Sequence, residues 1–138
     1  VRAVQAQRLV RRVCADCAEA ADPPHPHLRE TARAAAERAG LGIEENWRAG
    51  RGCHACRGTG YRGRTGIYEL VDVTEGVQDG VMSGHTAHQL WRAAAADGAR
   101  SLSEDGLIKA MQGVTTVEEV IRVSGAGPDT AAEAETAE

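Results

Sequence analysis

The chain has 138 residues, 42% of them apolar but only four aromatic, and a formal net charge of −4. That length suits one small domain with a thin, alanine-rich core, for which a metal staple would compensate. Asp129, Glu133, Glu135 and Glu138 account for the whole net charge, so the remainder is neutral, which argues against a dedicated nucleic-acid binder; no apolar run is long enough for a membrane span or a signal peptide.

In chain order, residues 7–13 (QRLVRRV) read as a short strand leading into Cys14 and Cys17. A proline-marked loop follows, and residues 28–39 have helical composition, with Leu28, Ala32, Ala35 and Ala39 on one face and Gly40 placed to stop the helix. The second cysteine pair, Cys53 and Cys56, lies in a glycine-rich turn region (GRGCHACRGTGYRG). Residues 64–73 (RTGIYELVDV) are β-branched and aromatic, and predict a strand that pairs with the first across the cysteine insertion, leaving the insertion as a knob on a sheet.

From residue 74 the signals turn helical, more weakly over 74–84, where Gly76 and Gly80 each cost a helix about 1 kcal/mol relative to alanine. Three short helices then announce themselves. Thr86 with Gln89, Ser101 with Glu104 and Thr115 with Glu118 are capping-box pairs, closed respectively by Gly98, Gly113 and Gly125. These helices should pack as one cluster. Residues 125–138 hold no large apolar side chain and are expected to be a disordered acidic tail.

The cysteines carry the strongest chemical signal. Two C-x-x-C turns each present two thiolates on one side of the backbone, and together they complete the tetrahedral shell zinc prefers. The 35-residue spacer is long for a zinc finger, but loop-closure cost grows only logarithmically with length. Cys14, Cys17, Cys53 and Cys56 are therefore the expected ligands of one zinc ion, structural because four cysteines leave no open position. Arg11, Arg12, Arg51, Arg57 and Arg62 crowd the cysteines and would offset the −2 charge of a zinc tetrathiolate; a phosphate or acidic-partner site is the sharper alternative.

Elsewhere the chemistry is sparse. His25 and His27 flank a proline, His54 lies between two cysteines, and His85 and His88 begin a helix, all positions that suit surface roles. Glu104, Asp105, Glu118 and Glu119 read as helix-start carboxylates favoured by the macrodipole. There is no G-x-x-x-x-G-K-[ST] loop, and the sole lysine, Lys109, falls inside a predicted helix, so no catalytic residue is assigned and the chain alone is not expected to hydrolyse ATP.

Five segments together, Ala6–Arg11 (AQRLVR), Cys14-x-x-Cys17, Gly52–Leu70 (GCxxCxxTGYxGRxGIxEL), Leu102-x-x-Asp105-Gly106-x-x-Lys109 and Gly113–Val123 (GxTTxEEVxRV), resemble the C-terminal part of the type II secretion and type IV pilus assembly ATPases. The resemblance spans about Ala6 to Ser124. It implies a piece of a larger cytoplasmic motor, peripheral to the inner membrane, whose RecA-like core with its ATP and Mg²⁺ sites precedes residues 1–13. It further implies a hexamer whose subunits contact this part and inner-membrane platform proteins on which the motor docks, with no nucleic acid and no membrane span of its own. Where that family carries an apolar-Ile-Arg-x-Leu-Ile helix, this chain has Gly76–Val81 (GVQDGV) and lacks the arginine.

The resulting expectation is an α+β fold. A short antiparallel β pair, 1–13 and 64–73, carries an inserted tetracysteine zinc-binding subdomain at 14–63, followed by a small helical subdomain at 74–124. The rival is a stand-alone zinc-binding adaptor of chaperone type, because Cys53–Gly60 (CHACRGTG) fits the C-x-x-C-x-G-x-G knuckle of J-domain co-chaperones; those have four such knuckles and this chain has one.

Overall fold

The computed structural model describes residues 2–125. Within them the order is β1 (Ala3–Val13), β2 (Ala18–Ala20), α1 (Pro26–Arg38), β3 (Arg48–Gly50), β4 (Tyr61–Asp72), α2 (Glu75–Met82), α3 (Ala87–Ala96), α4 (Leu102–Met111) and α5 (Val117–Ser124). The fold is mixed α and β, with two separate two-stranded sheets, and the acidic tail expected at 125–138 lies, apart from Gly125, outside the described residues.

The predicted β pair is present and longer than expected. β1 and β4 run antiparallel from Ala3↔Asp72 to Arg11↔Arg64, and a register shift between Arg11 and Val13 brings Val13 opposite Tyr61. Extra residues at such an irregularity bend a strand and alter its twist. The irregularity, with its extra residue on β4, falls where β1 ends and the first cysteine pair begins. A second ladder, Ala18↔Gly50 to Ala20↔Arg48, joins the residues just after Cys17 to those just before Cys53. It closes the base of the long spacer.

α1 begins at Pro26, two residues earlier than the composition suggests, because proline suits the first helical position and the His25 side chain caps it by accepting the His27 N–H. Leu28, Ala32, Ala35 and Ala36 face inward; Ala39, expected on that face, is instead the exposed C-cap before Gly40 at φ +71°. Small alanines let α1 lie close on α4. The resulting core joins them to Trp47, Leu107, Ile108, Ala110, Met111 and, from α5, Val120. Gly106 makes the α4–α5 contact possible: a Cβ there would sit 2.7 Å from Val120 Cγ1 and 3.4 Å from Ile67 Cδ1. Ile67 and Val10, both wholly buried, are the inward positions of the β1–β4 ribbon.

One weak helical signal is realised and one helical expectation needs correction. Residues 75–82 do form a helix despite Gly76 and Gly80, capped by Thr74, whose hydroxyl accepts the Val77 N–H. A Cβ on Gly80 would come within 2.9 Å of Leu90 Cδ2, so the glycine that weakens α2 intrinsically lets it pack on α3. The three later helices do not form one cluster. α3 packs chiefly with α2, whereas α4 and α5 pack with each other and with the ribbon. Both α3 and α4 open with the predicted capping boxes, Thr86/Gln89 and Ser101/Glu104. The cap of α5 is Thr116, not Thr115, because the Thr115 hydroxyl is spent on the Arg11 carbonyl at 2.8 Å.

Candidate metal centre

β1 delivers Cys14 at its end, and the Cys14 N–H donates to Gly60 O at 2.9 Å, tying the first knuckle to the close of the second. In the first turn Cys17 N–H donates to Cys14 O at 3.3 Å. In the second, Gly58 N–H donates to Cys53 O at 2.9 Å, which requires the left-handed backbone found at Arg57 (φ +56°) and Gly58 (φ +77°). The entry and exit of the second knuckle meet backbone to backbone at Gly50 and Gly60, where any side chain would collide.

This architecture brings Cys14, Cys17, Cys53 and Cys56 together, as their spacing predicts, with all four sulfurs within 4.8 Å of one another and no disulfide among them. Three separations are 3.7–3.8 Å: Cys14 to Cys53, Cys17 to Cys56, and Cys53 to Cys56. A tetrahedron of thiolates about 2.3 Å from a central zinc has edges of about 3.8 Å. The donor set and its dimensions fit a metal ion.

Backbone N–H groups converge on the same sulfurs. Gly52 donates to Cys17 Sγ at 3.3 Å, and Cys53 and Gly60 donate to Cys56 Sγ at 3.2 Å each. Burial pushes the Cys17 thiol up to about 12 against the pull of its single N–H, while at Cys56 burial is outweighed by two backbone donors and neighbouring thiols, which bring it down to about 6. A bound cation would supply the charge that favours the thiolate at all four sulfurs.

Among the described residues, two of the five arginines near the cysteines in sequence turn to carboxylates. Arg11 turns to Glu119, Arg62 lies 3.5 Å from Asp16, and Arg48 donates to Ala18 O. The sequence alone undervalues Glu119. Its side chain is wholly buried, and it accepts from Arg11 N at 2.7 Å, Arg11 Nε at 3.0 Å and Arg122 Nε at 2.6 Å. The Arg122 bonds, with Arg11 behind them, hold its carboxyl down at about 2 against the opposing effect of burial. Arg11 also stacks 4.2 Å over the Tyr61 ring, whose hydroxyl lies 2.7 Å from Thr116 Oγ1. With Val13 N–H donating to Val114 O, these contacts sew the start of α5 to β1 immediately before Cys14. The Glu119/Arg122 spacing of three is the available signal for half of this clamp.

Asp105, likewise expected as a helix-start charge, is buried, accepting Tyr68 N–H at 2.9 Å and Lys109 Nζ at 2.8 Å. Lys109 also donates to Gly66 O at 2.7 Å. The sole lysine thus anchors α4 on β4. His25 is a helix cap, and His54 is exposed between its cysteines.

The sequence profile of type II/IV secretion system proteins matches residues 1–122, a stretch holding all four cysteines, Glu119 and Arg122. The chain belongs to that family. It is 41% identical over 118 residues to the type IV pilus assembly ATPase PilB of Thermus thermophilus, covering 86% of the chain and 13% of that relative. Against type II secretion system protein E of Aeromonas hydrophila the identity is 39% over 127 residues, 88% of the chain and 23% of the relative. The PilB of Pseudomonas aeruginosa is 35% identical over 131 residues, 90% of the chain and 21% of the relative. The chain thus spans at most about a quarter of the length of these family members. Among the described residues no helix is long and apolar enough to cross a membrane.

Proposed function

We propose that this family member is the C-terminal portion of a secretion or pilus assembly motor ATPase, and that Cys14, Cys17, Cys53 and Cys56 hold one structural zinc ion in it. The observation carrying the metal reading is the convergence of four sulfurs within 4.8 Å of one another, with three separations of 3.7–3.8 Å that match the edges of a zinc tetrathiolate. Bound there, zinc cross-links the two knuckles and contributes folding energy; it does no chemistry on a substrate. The residues of this chain do the positioning: Gly50 and Gly60 let the entry and exit of the second knuckle close on each other, and the Gly52, Cys53 and Gly60 N–H groups offset thiolate charge.

In this reading ATP and Mg²⁺ bind in a core N-terminal to this portion, in a cytoplasmic hexamer docked on inner-membrane platform proteins. An apolar groove of about 740 Å³ supports a packing role. It lies between the ribbon and the α2–α3 pair, lined by Val4, Val71, Val77, Val81, Leu90 and Trp91. Val4 and Val81 are more than half exposed, which an isolated domain would normally avoid. Such a face suits contact with the ATPase core or a neighbouring subunit.

Two measurements test this. Peptide mapping of the native protein should find peptides preceding Val1 that carry a phosphate-binding loop; a native chain starting at Val1 would favour a stand-alone zinc adaptor instead. Elemental analysis should find one zinc per chain, and a chain that folds with none would overturn the metal reading.

A further inference from the structure

The four sulfurs are not equivalent. Cys17 and Cys56 receive backbone N–H donors, whereas among the described residues none reaches Cys14 or Cys53 Sγ, whose contacts are to other sulfurs. An N–H drawn onto a thiolate stabilises its charge, and a less basic thiolate is a weaker nucleophile. Accessibility divides the remaining two: Cys14 is wholly buried, while Cys53 is the half-buried member of the set. Arg51, His54 and Arg57, its near neighbours in sequence, are exposed. Reactive cysteines occupy such electropositive, partly accessible surroundings.

We propose that Cys53 is the modification site of this centre, the thiolate at which electrophiles and peroxides attack the metal-loaded chain, with Cys14 as its resolving thiol. The proposal rests on the zinc reading, since a bound metal is what keeps all four sulfurs as thiolates. With hydrogen peroxide as oxidant, the Cys53 sulfur attacks one peroxide oxygen: an S–O bond forms, the O–O bond breaks and hydroxide leaves. The sulfur loses two electrons to the peroxide and becomes a sulfenic acid. Cys14 Sγ, 3.8 Å away, then attacks that sulfur; an S–S bond forms, the S–O bond breaks, and a second hydroxide departs. Two protons from solvent convert both hydroxides to water. Cys14 needs no solvent access for this second step, and it lacks the N–H bond that would dull it. Only Cys17 and Cys56 remain to hold the metal, which is then released.

The test begins by measuring zinc in the purified chain, because a metal-free chain overturns the zinc reading itself, separately from the reactivity of Cys53. The zinc-loaded chain is next treated with substoichiometric N-ethylmaleimide and digested for mass mapping. The first adduct is expected on Cys53, in at least about tenfold excess over each other cysteine. A zinc-loaded chain labelled first at Cys14, Cys17 or Cys56, or evenly, overturns the assignment. In a parallel arm, limiting hydrogen peroxide is added with a chromogenic zinc chelator. A Cys14–Cys53 disulfide appearing together with zinc release is expected; a Cys53–Cys56 disulfide would overturn the role of Cys14, and thiols left intact would overturn the oxidation.

Discussion

The two ends of the molecule are held together by different physics. Around the helices α1, α4 and α5, stability comes from apolar packing, with Leu28, Trp47, Ile108, Met111 and Val120 buried in one cluster. Around the knuckles the buried cluster consists of the cysteines alone. A core of four thiols is too small to order nearby loops, so that end depends on whatever the thiols bind. The Glu119 clamp joins the two regimes, since it fastens α5, part of the packed end, to the last strand residues before Cys14. Damage to one end should therefore stay local unless it passes through that clamp.

The largest effect should come from removal of the metal. Cys53→Ser, or chelation of the wild-type chain, is expected to cost several kcal/mol, because structural zinc contributes folding energy directly. Hydrogen exchange is the discriminating readout: amides of β2 and β3 should lose protection while those of α4 keep most of theirs. An unchanged melting temperature in Cys53→Ser would sink the proposed division of labour.

Glu119→Gln comes next. It removes the charge from a buried acceptor of both arginines, at a cost of about 2 kcal/mol after allowing for the solvent that reaches the half-exposed guanidinium groups. Unlike the cysteine variant, it should lower protection at both ends. The same carboxylate sets an acid response. Its folded value of about 2 lies below the ordinary 4.5, so its contribution is fully present above about pH 5 and is lost as pH falls toward 2. Glu45, held at about 2 by Arg29 and Trp47, adds to the loss in the same window. Acid titration of the Glu119→Gln variant, monitored by circular dichroism, should show a shallower decline than wild type.

Gly106→Ala should be destabilising by about 1–2 kcal/mol, against the helix-propensity gain of about 1 kcal/mol, because the new methyl meets Val120 and Ile67. A rise in melting temperature would show that α4 and α5 have room to separate. The smallest change is expected from Thr86→Ala, about 1 kcal/mol for the lost cap of α3, confined in hydrogen exchange to the α2–α3 pair.

These regions also differ in how far the sequence reveals them. The knuckles, the β pair and two capping boxes are legible because their signals are local: C-x-x-C spacing, β-branched runs, and a polar residue three positions before its partner. The packed end is half hidden. Nothing near Glu119 indicates that it will meet Arg11, 108 positions away, and a carboxylate in a first helical turn has a simpler explanation close at hand. Thr115 and Thr116 both satisfy a capping pattern, and only the tertiary demand of Arg11 O decides between them. In α2 the helical signal is weak because the benefit of Gly80 lies in a contact with α3 that propensity does not count.

The strand pairings are nested, with Ala18↔Gly50 enclosed by Val13↔Tyr61, which is in turn enclosed by Arg11↔Arg64. Each inner closure shortens the free chain that the next must draw in, so pairing from the knuckles outward replaces one costly search by several cheap ones. The β2–β3 ladder at the innermost point would then close first, metal capture by the enclosing cysteines would follow, and the long ribbon would zip last.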